Sequence, residues 1–266
     1  MILCKVQQTG GLGDVICASG ALKKLQEKLN SSFFIETPFP SLFVDEIYAN
    51  KVFDSFYNFY DLDIESFYQK FNKIYLADYH TENHLKSKTN IVESYCEYLN
   101  VEKTDKPFIS VDINKFNSFN FLKDEKYILI SLEPYKDMYL PEDSFSKHLS
   151  YNYSSKIITE LSKKFTDYKI IDINKLPKDI SNKKELLYVV MRAKSFVSVD
   201  GGVIHLASNE PTFKKGVCLY RNENSVKSFG YKDQVNLVSN IPLIGPYVDI
   251  EKIIFELQEI IKDDSI

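Results

Sequence analysis

The sequence lacks the features that mark several common classes of protein. Its 266 residues include no tryptophan and only four cysteines, which are scattered singly, and no CxxC motif or Cys/His cluster occurs. Neither a disulfide framework nor a zinc site is therefore predicted. No apolar run approaches the ~20 residues of a membrane-spanning helix, and no signal-peptide pattern follows Met1. We expect a soluble, cytoplasmic protein.

The chain also lacks an excess of positive charge. It has 33 basic and 37 acidic residues, which gives a formal net charge of −4. No overall positive field draws such a protein to nucleic acid, so no nucleic-acid partner is predicted. A P-loop is absent because no Gly-Lys-Ser/Thr occurs, and the dinucleotide fingerprint fails because Ile16 stands where glycine or alanine is required.

The most informative stretch runs from Phe196 to Ser208. A β-branched apolar run ends at Asp200, Gly201 and Gly202, and apolar residues at helical spacing follow. This pattern predicts a strand, a tight turn and a helix. Paired glycines permit positive φ and close approach of a ligand, while the helix directs unpaired N–H groups at the turn. Such a turn can hold a phosphate; an ordinary βα connection is the alternative.

A second glycine turn lies near the start of the chain. Ile2–Val6 is predicted to be a strand, and Gly11, Gly13 and Asp14 come just before a helix whose apolar residues share one face. An acid in this position stabilises the start of a helix. Asp14 therefore has a structural explanation on sequence alone.

Strand and helix patterns alternate in two halves of the chain. Between about Lys106 and Lys126 the periodicity is lost, which is typical of a linker between domains. The predicted fold class is therefore α/β, with two βαβ-type halves and mostly parallel sheets. We place the domains at residues 1–115 and 116–248. An amphipathic helix over Asp249–Lys262 is predicted within a final segment, 249–266.

Three further patterns are weaker indications of chemistry. Asp61 and Asp63 form an Asp-x-Asp triplet without a third metal ligand in view. His80 and His84 lack the HExxH arrangement and are predicted to be surface histidines in a loop. No metal site is therefore predicted. A basic rim for a phosphorylated glycan is conceivable, although most such side chains are merely solvated: Lys23, Lys24, Lys28, Lys86 and Lys88.

The two glycine turns together carry a resemblance to a known family. Gly11–Ile16 after the first strand, paired with Val197–Ala207 in the second half, resembles glycosyltransferase family 9, the ADP-heptose:lipopolysaccharide heptosyltransferases. The likeness is close at these two motifs and covers most of the rest in outline. It implies a GT-B architecture, in which two Rossmann-like domains face each other across a cleft and the last helix packs back on the N-terminal domain.

The resemblance also implies an activity. It is an inverting, metal-independent transfer of a heptose-like sugar from a nucleotide diphosphate donor, with ADP-heptose favoured, to a bacterial surface glycan precursor of a lipopolysaccharide or capsule. The donor is a substrate, and no cofactor is implied. The acceptor is a glycan or lipid-linked glycan, with at most peripheral contact with the inner membrane surface. Alternatives are a GT-B sugar-nucleotide epimerase or hydrolase, and a non-catalytic nucleotide-sugar-binding scaffold.

Individual roles follow from the same resemblance. Asp14 matches the family's general base toward the acceptor hydroxyl, and an inverting displacement requires such a base. The expected donor-binding residues in the two turns and the second helix are Gly11, Gly13, Asp200, Gly201, Gly202 and His205. His205 could reach a phosphate, or it could support the turn as a structural residue.

Two donor-side positions match the family less closely. In the family, a lysine shortly before a Trp-Pro pair neutralises the donor phosphate. Lys136 is the candidate here, but its spacing to Pro141 is longer and the sequence has no tryptophan. Arg221 is the alternative cation. Glu223 follows a predicted strand where GT-B enzymes often contact the donor, and an exposed loop acid is the alternative. The family has a hydroxyl residue where Gly201 stands, so one side-chain donor to the phosphate is missing.

Overall fold

The structure is a computed structural model that describes residues 1–6, 11–55, 64–111, 120–132, 149–176, 183–241 and 245–263. The chain forms two compact units, each with a parallel β-sheet. The first unit comprises Met1–Ser110, Ser181–Lys184 and Asn209–Pro211, and the second comprises Val111–Ile180, Glu185–Ser208 and Thr212–Ile266. Two Rossmann-like α/β halves are therefore confirmed. The chain passes between the units inside the predicted linker, at Ser110.

The first unit is built on a four-stranded sheet with the order β3-β2-β1-β4, in which every pair is parallel. Its elements, in chain order, are β1 (Ile2–Val6), α1 (Leu12–Leu29), β2 (Phe33–Thr37), β3 (Ala49–Asp54), α2 (Ile64–Tyr68), β4 (Lys73–Ala77), α3 (Glu82–Leu85) and α4 (Ile91–Leu99). The predicted apolar face of α1 is buried and packs against α4, which also packs on β4. Helix α4 thus lies beside both α1 and the edge strand.

The second unit has a five-stranded parallel sheet with the order β6-β5-β7-β8-β9. Its elements are β5 (Tyr127–Ser131), α5 (Tyr151–Lys164), β6 (Lys169–Asp172), α6 (Lys184–Arg192), β7 (Ser195–Val199), α7 (Gly202–Ala207), β8 (Val217–Tyr220), α8 (Glu223–Phe229), β9 (Val235–Val238) and α9 (Ile250–Asp263). Every residue of β7 and β8 is buried. These strands therefore have nearly continuous apolar sequences, as is usual in a parallel sheet.

The last helix, α9, packs within the second unit. Its buried stripe joins the core formed by β5, β7, β8 and α5, and comprises Ile250, Ile253, Ile254, Leu257 and Ile260. We expected this helix to pack on the N-terminal domain. Its apolar stripe packs instead on the core of the second unit. An amphipathic pattern gives the width of an apolar stripe but does not name the surface that the stripe covers. Across the described ranges, no helix has both the length and the apolar character needed to cross a membrane.

A buried ion pair stabilises the first unit. Lys184 Nζ lies 2.6 Å from Glu46 Oε1 and also donates to the Val44 carbonyl at 2.7 Å. The Glu46 carboxylate accepts further bonds from the backbone N–H and the hydroxyl of Ser110, each at 3.0 Å. Burial raises the pKa of the Glu46 carboxyl, although Lys184 and Ser110 act in the opposite direction. The ionised form of the Glu46 carboxyl therefore depends on its contacts with Lys184 and Ser110.

We predict that Lys184→Met destabilises the protein by about 3–5 kcal/mol, because Glu46 would remain buried without its cation. Urea-induced unfolding measures this change. The matched control is Lys163→Met, which removes an exposed partner of Glu160 and is expected to cost about 0–1 kcal/mol. The double variant Glu46→Gln/Lys184→Met should recover part of the loss. Equal effects of the two lysine variants would contradict the prediction.

Candidate functional site

Each sheet has a point at which the chain reverses the direction in which it adds strands. In the first sheet β2 and β3 lie on one side of β1 and β4 lies on the other; in the second sheet β6 lies on one side of β5 and β7 on the other. Open α/β sheets bind ligands outside the carboxyl ends of their strands at such a switch point. The loops after β1 and β4, and those after β5 and β7, are therefore the candidate sites of the two units.

The predicted donor turn lies at the switch point of the second sheet. Asp200 directly follows β7 and is 6% exposed, and α7 begins at Gly202. The paired glycines do not use the positive φ that glycine permits. Gly201 is extended, with φ 173° and ψ −173°, and Gly202 is already helical. A β-carbon on Gly201 would meet the Val199 carbonyl oxygen only at 3.8 Å, so this position has room for a side chain.

The buried carboxylate of Asp200 has a defined electrostatic effect. Burial, and then the charge of Asp200, raise the pKa of the Cys218 thiol on the adjacent strand β8. Because like charges repel, a carboxylate in this turn suits contact with N–H or hydroxyl donors better than contact with a phosphate. A diphosphate at the same turn would depend on backbone N–H groups and on cations from elsewhere.

His205 lies inside the second unit. Its side chain is 3% exposed, and its Nδ1 atom is 2.8 Å from the hydroxyl of Tyr231. The two rings meet edge to face at 5.7 Å between centroids. These contacts support the structural alternative for His205, namely that it holds α7 in place. Contact of His205 with the donor stays a prediction.

The residues after β8 share an edge of the sheet with the donor turn, because Val199 and Leu219 are partners in neighbouring parallel strands. Arg221 is half-buried at this edge, and Glu223 is exposed in the first turn of α8. The exposure of Glu223 fits the alternative that it is a solvated acid. Contact of Glu223 with the donor stays a prediction. Lys136 lies outside the described residues.

In the first unit, Asp14 is the third residue of α1. Its Oδ2 atom accepts a hydrogen bond from the backbone N–H of Gly11 at 2.8 Å. Gly11 itself is extended, and Gly13 is in the first turn of the helix. The carboxylate therefore satisfies one of the N–H groups that a helix start leaves unpaired. This is the structural role anticipated from sequence, and the role of Asp14 as a general base stays a prediction.

Two tyrosines lie within the electrostatic reach of Asp14. Tyr79 follows β4 and Tyr95 lies on α4, and their rings meet edge to face at 5.6 Å. Burial raises the pKa of both hydroxyls, and the charges of Asp14 and Asp78 add to it. The Tyr95 hydroxyl is buried and has no hydrogen-bond partner among the described residues, which is uncommon in folded proteins. The start of α1 and the end of β4 thus meet at the switch point.

Asp78, which lies between β4 and Tyr79, was not among the site residues predicted from sequence. Its Oδ1 atom accepts three hydrogen bonds: from the backbone N–H of Tyr79 at 2.6 Å, from that of His80 at 3.1 Å and from the His80 ring at 2.7 Å. Prediction of an exposed His80 is confirmed, since its side chain is 48% exposed. The signal in the sequence was an Asp-x-His directly after a strand, but its meaning depends on a strand order that the sequence does not state.

The prediction for His84 is wrong. This histidine is in α3, is 7% exposed, and directs Nδ1 toward the Thr89 carbonyl at 3.3 Å. It also packs edge to face on Tyr79 at 5.2 Å. The segment forms a helical turn because Thr81 caps it, accepting a hydrogen bond from the backbone N–H of His84.

Four of the five lysines considered as a basic rim have side-chain partners in their own unit. The contacts are Lys23 with Glu27, Lys24 with Glu27 and Glu102, Lys28 with the Asn100 carbonyl, and Lys86 with Glu82. Their charges are largely offset by neighbouring acids and by a helix C-terminus. They do not support recognition of a phosphorylated glycan.

Potential metal ligands are dispersed. Within the part of the chain that the structure describes, no three His, Cys, Asp or Glu side chains come together to hold an ion. Asp61 and Asp63 lie outside that part. All four cysteines are buried as free thiols.

Solved structures match this arrangement over nearly the whole chain. Escherichia coli ADP-heptose lps heptosyltransferase II superposes with a TM-score of 0.68 at 11% identity and covers 100% of both chains. The chain has the heptosyltransferase fold. The glycosyl transferase family 9 protein from Veillonella parvula DSM 2008 gives 0.65 at 11% identity, covering 98% of this chain and 97% of its own. The E. coli heptosyltransferase WaaC with ADP gives 0.61 at 13%, covering 98% and 100%.

The likeness to heptosyltransferases is one of fold, since the identities are so low. No protein-family model and no curated protein sequence matches the chain. The predicted GT-B-type fold is confirmed by these structures, whereas the predicted site residues are not tested by them. The heptosyltransferase fold nonetheless explains why both glycine motifs follow parallel strands.

We predict that Gly201→Ser folds with wild-type stability, because the extended backbone accepts any residue and the added atoms have room. The same change would supply the hydroxyl donor that the family carries, so nucleotide affinity should rise. Thermal unfolding with and without ADP measures both effects.

The matched control is Gly20→Ala in α1, where a β-carbon would collide with the Lys106 carbonyl. That variant should lose about 1–3 kcal/mol of stability. A loss of similar size in Gly201→Ser would show that the donor turn is tighter than described.

Proposed function

We propose that the protein is a glycosyltransferase that moves a sugar, with inversion, from a nucleoside diphosphate to a hydroxyl of a glycan acceptor. One observation carries the proposal: the chain has the heptosyltransferase fold along its whole length, and each glycine motif lies at the switch point of its own sheet. The fold supports this class of reaction by analogy, and the motifs are the places at which we propose that ligands bind.

The second unit is the proposed donor side. Two solved structures of the E. coli heptosyltransferase WaaC contain ADP and ADP-2-deoxy-2-fluoro heptose, respectively. These ligands support an ADP-heptose donor for the present protein. The N–H groups of the turn at Gly201 and Gly202 would contact the diphosphate, and Asp200 would accept hydrogen bonds from hydroxyl groups. Lys136 or Arg221 would neutralise the negative charge that grows on the leaving group, so no metal ion is required.

The first unit is the proposed acceptor side. An acceptor hydroxyl attacks the anomeric carbon, the bond from that carbon to the diphosphate oxygen breaks, and the nucleoside diphosphate leaves with the electron pair. The carboxylate of Asp14 is the predicted general base. We propose a precursor of a bacterial surface polysaccharide or lipooligosaccharide as the acceptor, used in the cytoplasm at the inner membrane surface.

The test combines binding and turnover. ADP-, GDP- and UDP-sugars are titrated by thermal shift, and a true donor at 100 times its Kd should add about 2.7 kcal/mol of stability. The best binder is then assayed for release of nucleoside diphosphate with glycan acceptors. Release that depends on an acceptor supports the transferase. Equal release without any acceptor would indicate a hydrolase, and binding without release would indicate a scaffold.

Asp14→Asn separates the two roles of Asp14, because an amide oxygen can still accept from the Gly11 N–H but carries no charge. We expect nearly unchanged stability and a kcat that is about 10²–10⁴-fold lower. Asp14→Ala should lose activity and also about 0.5–2 kcal/mol of stability. Thermal unfolding and initial rates give the two numbers. Full activity of Asp14→Asn would remove this carboxylate from the chemistry.

A further inference from the structure

We propose that the segment after β4 is an acceptor subsite that takes an uncharged, hydroxyl-rich sugar and rejects a sugar that carries a carboxylate or a phosphate. The specificity-determining residues are Asp78 and His80, and Asp14 keeps its predicted role as the general base. This inference rests on the proposed function, because it states which class of acceptor the first unit receives.

Asp78 and His80 lie at the switch point of the first sheet. Asp78 directly follows β4, and the neighbouring parallel strand β1 leads toward Asp14. The Asp78 side chain is 32% exposed and that of His80 is 48% exposed, so a ligand can reach both. A sugar that brings one hydroxyl to Asp14 therefore has these two side chains beside it.

The contacts of Asp78 use one of its two oxygens. Oδ1 accepts the backbone N–H groups of Tyr79 and His80, at 2.6 and 3.1 Å, and lies 2.7 Å from Nδ1 of the His80 ring. These bonds fix the carboxylate in one orientation. An ionised carboxylate has lone pairs on both oxygens and no hydrogen to donate. Oδ2 therefore suits a ligand hydroxyl that donates.

The same contacts orient the His80 ring. Because the carboxylate only accepts, Nδ1 carries the hydrogen of the neutral imidazole, and Nε2 is an acceptor. The ring is stacked on that of Tyr79, with 4.3 Å between centroids and 26° between planes. Tyr79 packs in turn against His84 and Tyr95. Asp78 and His80 thus present acceptors on a restrained surface, so the ligand must supply the donors.

The local charge is negative. Burial acts to raise the pKa of the Asp78 carboxyl, but the hydrogen bonds from His80 and Tyr79 outweigh it and hold the pKa below its ordinary value. Burial also raises the pKa of the Tyr79 and Tyr95 hydroxyls. Every charge from the described residues that acts on these two hydroxyls raises their pKa further, with Asp14 the first of them. Both carboxylates therefore act on the same small region.

The Tyr95 hydroxyl is a second, independent observation at this place. Tyr95 is 0% exposed, and its hydroxyl has no hydrogen-bond partner among the described residues. Its ring meets that of Tyr79 edge to face at 5.6 Å, and Asp14 and Asp78 both act on its hydroxyl. A phenol O–H is a donor. Beside two carboxylates it can donate to Asp14 or to a ligand oxygen when the acceptor is bound.

These charges select the class of sugar. An anionic sugar is disfavoured because like charges repel strongly where water is partly excluded. A cationic amino sugar would pair with the carboxylates, but a cation beside Asp14 would also lower the affinity of this base for a proton. A neutral sugar has neither disadvantage, since one of its hydroxyls donates to Asp14 and others donate to Asp78 and His80.

The test begins with binding to the intact protein in the absence of a sugar nucleotide. The probes are the methyl glycosides of glucose, galactose and mannose, the matching uronic acids and 6-phosphates, and the 2-amino-2-deoxy analogues. NMR of nitrogen-15-labelled histidines follows the His80 ring. We expect a neutral glycoside to shift this signal and the anions to bind at least about tenfold more weakly. No shift with any neutral glycoside, or equal or tighter binding of an anion or an amine, would overturn the proposal.

Asp78→Asn separates charge from structure. The amide oxygen can still accept the backbone bonds of Asp78, whereas the amide nitrogen donates where Oδ2 accepted. We expect about 2–10-fold weaker binding of the neutral glycoside and an affinity ratio of neutral to uronic sugar that falls about tenfold. The matched control is Glu82→Gln, which removes an exposed acid paired with Lys86 in the same segment and should bind as wild type. An unchanged ratio in Asp78→Asn would contradict the proposal.

Two aromatic variants test the remaining groups. His80→Phe keeps a ring against Tyr79 but removes both nitrogens, and Tyr95→Phe removes only the buried hydroxyl. Each should weaken binding of the neutral glycoside about 2–10-fold. Tyr95→Phe should be at least as stable as wild type to thermal unfolding, because the hydroxyl that it removes is buried without a partner among the described residues. Wild-type affinity in both variants would count against the subsite.

Turnover separates this inference from the proposed function. With a sugar donor that supports release of nucleoside diphosphate, neutral acceptors should have a KM at least about tenfold below that of the matching uronic acids. Asp78→Asn should narrow this ratio and change kcat less than KM. Selective binding of neutral glycosides without any release of nucleoside diphosphate would refute the transferase alone. Equally efficient transfer to neutral and anionic acceptors would refute the subsite alone.

Discussion

The parallel pairing of all strands is the constraint on which the rest of this structure depends. Parallel strands end at one edge of a sheet, so the residues that follow them are collected there even when they are far apart in sequence. In the first unit this brings Asp14 and Asp78 to one edge, and in the second it brings Asp200 and Arg221 to another. The reversal of strand order then opens a place for a ligand between two of the loops.

The buried strands give these loops a rigid base. All residues of β7 and β8 are buried, and the core beneath them includes α9 and α5. Polar groups at the strand ends therefore have little freedom. His205 and Tyr231 form a buried hydrogen bond behind the donor turn, and Asp78 gathers three donors at the end of β4. Fixed polar groups of this kind are what an active site needs, because they require little reorganisation during the reaction.

Much of the fold was predictable from sequence, because periodicity is a local property. The runs that became β1, β7 and α9 were predicted nearly at their observed bounds. The surface covered by α9 was not predictable, since it depends on which faces of the sheet remain open. The extended backbone of Gly201 was not predictable either, because glycine permits a positive φ but does not require it.

The candidate site was predictable only where a motif exists. The glycine motifs identified Asp14 and Asp200, and both follow parallel strands as expected. Asp78 was not selected, because its place near Asp14 follows from the position of β4 beside β1. That position is a matter of strand order, which the sequence does not state. Residues in motifs are therefore easier to predict from sequence than residues that only the topology brings together.

The first unit takes its residues from three separate stretches of the chain. The side chain of Asn209 both accepts from and donates to the backbone of Ile109, at 2.7 and 2.9 Å, and Lys184 completes the partners of Glu46. A gene fragment encoding residues 1–110 would omit Asn209 and Lys184 and would expose backbone groups and an acid that are otherwise buried. Domain dissection by simple truncation is therefore unsuited to this protein, and selective isotope labelling of the intact chain is the better route to its two halves.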